Sequence, residues 1–315
     1  MKAIGGYFEW EEPQQGKEWH SKALRLNSGR NALEYLLRTG KFKSIFLPDY
    51  CCDVLSKKAE HLNVRIIKYE VNERMEIAGT IQTPGDKSLF LAVNYFGLKN
   101  EYIAGLKAKF QHLVVDNVQA FFAEHINGTS SFNSARKFFG VPDGAYLYPF
   151  NDPDLYLEED DSSARIQHLF DRLEKSPEAG YEKYLANEQL MGNIPLRKMS
   201  AITSGILQSL DYNRIIKKRR ENYQFLHENI GQQNEFSASL PVNAVPMAYP
   251  FLSIRKGIRE KMIKDRIFIP VLWPELRTNA AEKSQAYRFA EYLLPLPIDH
   301  RLNISDMDRI IKLIA

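Results

Sequence analysis

Two adjacent cations, Arg136 and Lys137, stand between small polar residues and a Gly-Val-Pro-Asp-Gly turn in SFNSARKFFGVPDGAYLY, residues 131–148. Only the lysine can lose its proton and act as a nucleophilic amine, because arginine stays protonated. Lysines that form Schiff bases have a pKa lowered by enclosure or by a neighbouring cation, and Arg136 would be such a neighbour. An Arg-Lys pair in an ordinary surface loop is simply solvated, so spacing alone leaves both readings open. A second candidate closes an apolar run: LVVDNVQAFF brings Asp116 to a strand end, with Gln119 three residues on. A carboxylate there can keep a heteroaromatic nitrogen protonated, or can merely cap the junction. In LNSGRNALEYLL, Ser28, Gly29 and Arg30 precede a helix whose free N–H groups favour an anion. Arg30 would add a charged contact, although small residues before a helix also serve as a plain cap. In MGNIPLRKMS, Asn193 and Arg197 pass through Pro195 toward a further helix, which in isolation reads as a structural junction.

These residues need elements to place them. Residues 44–48, 64–71, 88–93 and 112–115 are short β-branched or aromatic runs that predict strands. Between them, 31–38, 53–62 and 101–110 have helical spacing. Strand and helix in alternation imply an α/β fold with a mostly parallel central sheet flanked by helices. Ligands then gather at the carboxyl ends of the strands, where Asp116 stands. Residues 152–163 read as an acidic surface excursion without a metal-ligand set, and about 200–230 as a long helix with a break near Asp211. Beyond it, a strand (AYPFLSI), a helix (IREKMIKD), a strand (IFIPVLW) and a final helix capped by Ser305 predict a small C-terminal α+β domain. The expected division is 1–210 for the large domain and 211–315 for the small one.

Composition narrows the function. The net charge of +3 over 315 residues gives no reason to invoke nucleic acid or an anionic membrane. The run Lys217–Arg220 lies within helical spacing and reads as a solvated face. No apolar run approaches a membrane span, and MKAIGGYFEW lacks a basic-then-apolar leader. The two cysteines, Cys51 and Cys52, are adjacent, which makes neither a disulfide framework nor a metal site. A cytoplasmic protein without a metal is the expectation. The dinucleotide, P-loop, zinc-hydrolase and serine-hydrolase signatures are missing.

Taken in order, LNSGRNALEYLL, FLPDYCCDVL, AVNYFGL, VVDNVQAFF, MGNIPLRKMSAITSGIL, PVLWPEL and LPLPIDHRLNISDMDRI resemble the DegT/DnrJ/EryC1/StrS family of sugar aminotransferases. The opening IGGYFEWE is similar to a sub-branch found among capsule and O-antigen genes. The resemblance implies the fold-type-I architecture of pyridoxal 5'-phosphate-dependent transferases, and the transamination of a nucleotide-linked keto-sugar in surface polysaccharide biosynthesis. It assigns Asp116 to the pyridine nitrogen, Gln119 to the ring hydroxyl, and Ser28, Gly29 and Arg30 to the phosphate, assisted by Ser131. Asn193 would reach that phosphate from the partner of a homodimer, and an amino donor such as glutamate is implied. Three departures stand out. An ungapped match puts Arg136 at the family's lysine and aligns Asp143-Gly144 with its acidic-glycine turn, whereas a one-residue bulge puts Lys137 there; the chemistry favours Lys137. The family's stacking aromatic is missing at Cys52, for which Tyr50 or Tyr95 could substitute. The small domain is shorter than usual. Two other readings follow from the displaced lysine: a degenerate family member kept for binding or regulation, and a sugar dehydratase that holds the cofactor without a covalent lysine.

Overall fold

The computed structural model describes residues 16–151 and 155–314; the IGGYFEWE motif lies outside them. The N-terminal part runs β1 (Leu24–Leu26), α1 (Gly29–Gly40), β2 (Ser44–Pro48), α2 (Asp53–His61), β3 (Arg65–Tyr69), β4 (Ser88–Val93), α3 (Asn100–Leu106), β5 (Leu113–Asn117), β6 (Ser130–Asn133) and β7 (Ala145–Tyr148). These strands form one sheet in the order β1-β7-β6-β5-β4-β2-β3. The β3-β2-β4-β5-β6 block is parallel, and β7 and β1 close one edge antiparallel. Parallel strands covered on both faces are apolar throughout rather than alternating. Accordingly, β5 is buried at every position and β4 at all but its first. The expected strands and helices of this half are all present, within a few residues at each end.

After β7 come two helices that the apolar pattern did not announce, α4 (Gln167–Glu174) and α5 (Pro177–Asn193). Of α5 only Gly180, Asn187 and Met191 are buried, so it has no apolar stripe for periodicity to find. Ser176 caps it and Pro177 occupies its first turn, the one start signal available. The expected long helix is two, α6 (Ala201–Gln208) and α7 (Tyr212–Ile230), with Asp211 accepting from the Arg214 N–H at 2.9 Å as the cap of the second. The C-terminal part adds β8 (Tyr249–Leu252), α8 (Ile258–Lys264), α9 (Leu276–Asn279), α10 (Gln285–Tyr292), β9 (Leu293–Leu296) and α11 (Ile304–Ile314), with β8 and β9 antiparallel.

Four expectations need correcting. Residues 267–273 are not a strand: the segment runs without a ladder partner through Trp273, whose φ is 51°. Asn303, not Ser305, caps α11, accepting from the Ser305 N–H at 2.9 Å and the Asp306 N–H at 3.3 Å. The run Lys217–Arg220 is only half solvated, because Arg219 is 2% exposed. Nor is the acidic stretch all surface: Asp160 is buried, accepting from Asn27 at 3.0 Å and pairing with Arg165 at 2.8 Å. Among the described residues no helix is long and apolar enough to cross a membrane.

Candidate active site

The carboxyl ends of β2, β4, β5 and β6 open onto one edge of the sheet, as parallel pairing requires. Asp116 sits there on β5, 7% exposed, its Oδ1 accepting from the Val118 N–H at 2.9 Å. Burial raises its pKa to about 7, while that N–H and the charge of Lys137 pull the other way.

β6 leads into a tight turn, Ala135–Lys137, that holds both cations. The Ala135 N–H donates to the Gly144 carbonyl at 3.0 Å, and the Gly144 N–H donates to the Asn27 carbonyl at 2.8 Å. The turn is thereby tied to the residue before Ser28. Gly144 is required here, since φ is 111° and a Cβ would lie 2.8 Å from Thr203 Cγ2. The preceding Asp143 accepts from the Ser200 N–H at 3.0 Å and the Ser200 hydroxyl at 2.8 Å, and also from the Thr203 hydroxyl, so it anchors the turn to the start of α6.

The two cations have different surroundings. Arg136 pairs with Glu188 of α5. Burial lowers its pKa to about 10. Lys137 makes no ion pair or hydrogen bond to any described residue. Its pKa is lowered first by burial and then by Arg136, and also by Arg30, with Cys52 and Asp116 opposing. Yet its side chain is open to solvent. The amine is thus accessible at the carboxyl end of the sheet while set in protein that disfavours its charge. Of the two cations, only Lys137 acts on Asp116, each shifting the other's pKa through space.

The third wall is the start of α1. Ser28 caps it, its Oγ accepting from the Asn31 N–H at 3.2 Å. A Cβ on Gly29 would stand 3.1 Å from Val118 Cγ2 and 3.3 Å from the Asn133 carbonyl, so a side chain there would push these neighbours back by a few tenths of an ångström, and glycine lets the helix start close to the strand ends. Arg30 is partly buried without a hydrogen-bond or ion-pair partner among the described residues, and burial lowers its pKa against the pull of Cys52 and Asp53. Its Nη1 lies 3.5 Å from where a side chain on Gly192 would begin. Two uncompensated cations beside a capped helix start suit a phosphate, and a buried carboxyl suits a ring nitrogen. The residues present therefore fit pyridoxal 5'-phosphate.

The remaining candidates are engaged elsewhere. Tyr50 and Tyr95 are buried and stacked on each other at 5.5 Å and 25°, with the Tyr95 hydroxyl donating to the Tyr50 carbonyl at 2.5 Å. Trp273 meets the Tyr50 ring edge-on at 4.5 Å, so this pair packs the C-terminal segment onto the sheet. Gln119 accepts from the Phe96 N–H at 2.8 Å, bracing a residue with φ of 56°. Ser131 lies 3.1 Å from His125 Nδ1, and His125 stacks on Tyr148. Asn193 is exposed at the end of α5, one residue past Gly192. Among the described residues no group of His, Cys, Asp or Glu could hold a metal ion.

Sequence reasoning missed Glu188, because α5 itself was missed, and the Ser176-Pro177 helix start was the available signal. It also missed Glu275, which accepts from the Asp53 N–H at 3.3 Å beside Cys52, and no local pattern marks that contact.

No family model and no curated sequence matches the chain. Solved structures do. An aminotransferase of the DegT DnrJ EryC1 StrS type from Brucella abortus superposes with a TM-score of 0.62 at 15% identity, covering 93% of this chain and 84% of that one. The fold is that of these aminotransferases. Helicobacter pylori PseC, an aminotransferase involved in the biosynthesis of pseudoaminic acid, has a TM-score of 0.62 at 15% identity, covering 93% of this chain and 85% of its own. The E. coli GDP-4-keto-6-deoxy-D-mannose-3-dehydratase, solved with bound hydrated PLP, has a TM-score of 0.61 at 14% identity, covering 93% and 87%. The fold-type-I expectation is thus met over nearly the whole chain, on an aminotransferase fold that also serves a dehydratase.

Proposed function

We propose that the chain is a pyridoxal-phosphate-dependent aminotransferase of the DegT/DnrJ/EryC1/StrS family, acting on a nucleotide-linked keto-sugar in surface polysaccharide biosynthesis. The observation that carries this reading is the partnerless, accessible amine of Lys137 in the field of the buried Asp116. When bound, the cofactor supplies an aldehyde for amine exchange and a ring that withdraws electrons. Lys137 is the amine that would hold the aldehyde, Asp116 the carboxylate that would keep the ring nitrogen protonated, and Ser28, Gly29 and Arg30 the phosphate cradle. A lysine pKa lowered by burial and by Arg136 makes it easier for Nζ to give up and regain its proton. Arg136, held by its ion pair with Glu188, still lowers the pKa of the neighbouring amine. Asn193, exposed at the end of α5, would reach the phosphate in the site of a second copy, so the working unit would be a homodimer. An amino acid such as glutamate is the donor. We set the division between large and small domains at 210/211, immediately before α7.

The test is the visible absorption of the purified protein with added pyridoxal phosphate, followed by borohydride and peptide mass mapping. Reduced cofactor on Lys137 supports the aminotransferase. Bound cofactor that borohydride does not fix would move the reading to a dehydratase, and a protein that takes up none would leave a fold kept for binding.

A further inference from the structure

Arg219 is the largest fully buried side chain of the molecule's described part, 2% exposed in the middle of α7. No carboxylate is in ion-pair contact with it among the described residues, and Asp299 acts on it only through space. A buried guanidinium is costly unless every donor is used in place of water. This one donates to three carbonyls, Pro246 at 3.3 Å, Met247 at 3.0 Å and Phe138 at 3.3 Å, and its Nε has no partner. Its guanidinium carbon also stands 4.6 Å over the Phe138 ring, a cation–π contact in a dry setting. So one side chain holds both the ring and the carbonyl of the residue that follows Lys137. The same side chain grips the 246–247 segment, whose Met247 N–H donates to the Phe96 carbonyl at 3.0 Å. Phe96 is in turn held by Gln119, three residues from Asp116.

We propose that Arg219 is a positioning residue for Lys137: through Phe138 it fixes the turn that presents the amine to Asp116, and it couples that turn to α7. The inference rests on the reading of Lys137 as the reactive amine. An apolar residue at 219 would suffice if the role were only to fill the core, and replacing a buried ion by a well-packed apolar group often stabilises. Arg220 is the internal comparison. It lies next along α7 and also donates to carbonyls, those of Pro241 and Ala244, but does not touch Phe138.

The experiment uses Arg219→Met, Arg219→Lys and Arg220→Met in the full chain. Lysines are methylated with carbon-13 formaldehyde without cofactor, and the Lys137 resonance is identified by its loss in Lys137→Arg. Its titration then reports the amine's surroundings, namely Arg136, Arg30, Cys52 and Asp116. In Arg219→Met we expect the midpoint to rise by about one pH unit toward the ordinary lysine value. We also expect borohydride-trapped pyridoxal phosphate at Lys137 to fall about tenfold, with Arg219→Lys intermediate and Arg220→Met unchanged. A Lys137 midpoint and trapping yield equal to those of Arg220→Met overturn the proposal. If Arg219→Met fails to fold, Phe138→Leu removes the ring contact and must shift the same midpoint in the same direction, or the proposal fails. A wild-type protein that traps no cofactor counts against the proposed function, while the titration still decides the role of Arg219.

Discussion

Lys137 and Arg136 are neighbours in sequence with different partners in space: Lys137 is in the field of Asp116, and Arg136 is paired with Glu188. The short helical turn separates successive side chains by a large rotation, so the two adjacent cations point to different surroundings. Cofactor trapped by borohydride is therefore expected on Lys137 in the wild type and equally in Arg136→Lys, whose new amine would meet Glu188. Lys137→Arg should trap none and lose at least about 100-fold in transamination. Label on residue 136 in the Arg136→Lys protein would reverse the assignment.

Asp116 gives a pH-dependent stability with a definite sign. Its folded pKa of about 7 exceeds the ordinary 3.8, so the folded protein binds this proton more tightly than the unfolded chain. The favourable contribution is full below about pH 4 and is lost as pH rises toward 7. Asparagine cannot ionise. Asp116→Asn should therefore be more stable than wild type at pH 8, by up to about 4 kcal/mol, with the gap closing near pH 4. Urea titrations at the two pH values measure it. The same variant should bind pyridoxal phosphate more weakly, since its ring nitrogen loses a carboxylate partner.

Glu188 neutralises one of three clustered cations. Glu188→Gln frees Arg136 beside Arg30 and Lys137, so inorganic phosphate should bind about 3- to 10-fold more tightly at low salt, at a cost near 1 kcal/mol in stability. Calorimetric titration at two salt concentrations checks both the gain and its screening. An unchanged affinity would mean that Arg136 does not contribute to the anion site.

Gly144 has no room for a side chain. At φ of 111°, with Thr203 Cγ2 2.8 Å and Met199 Cε 3.3 Å from a Cβ, Gly144→Ala should cost about 2–4 kcal/mol. Because its carbonyl and N–H hold Ala135 and Asn27, trapping at Lys137 should fall with the melting temperature. Retention of both would show that the turn relaxes freely.

Much of the sheet was legible because buried parallel strands such as SLFLAV and helices such as NALEYLLR are apolar at the period of their own structure. Asp116 was legible for the same reason: it terminates such a strand. Less legible was everything decided by contact across the chain. The α5 helix has almost no buried stripe, so its Glu188 could not be foreseen at Arg136. Arg219, inside a basic run, reads as solvated because nothing local reveals three carbonyls waiting for it from residues 138, 246 and 247. Trp273 looks like part of a strand, yet it packs edge-on against Tyr50.

By itself the sequence determined the alternation of β2 to β5 with α1 to α3, the glycine that opens α1, and the presence of an amine and a carboxyl at strand ends, since these follow from local periodicity and side-chain chemistry. Only the tertiary structure decided which of two adjacent cations is free. That choice depends on a glutamate 52 residues away and on the direction a turn takes when Asp143, Gly144 and Arg219 hold it. Charge compensation at a site is a property of groups brought together by folding, and no spacing along the chain encodes it.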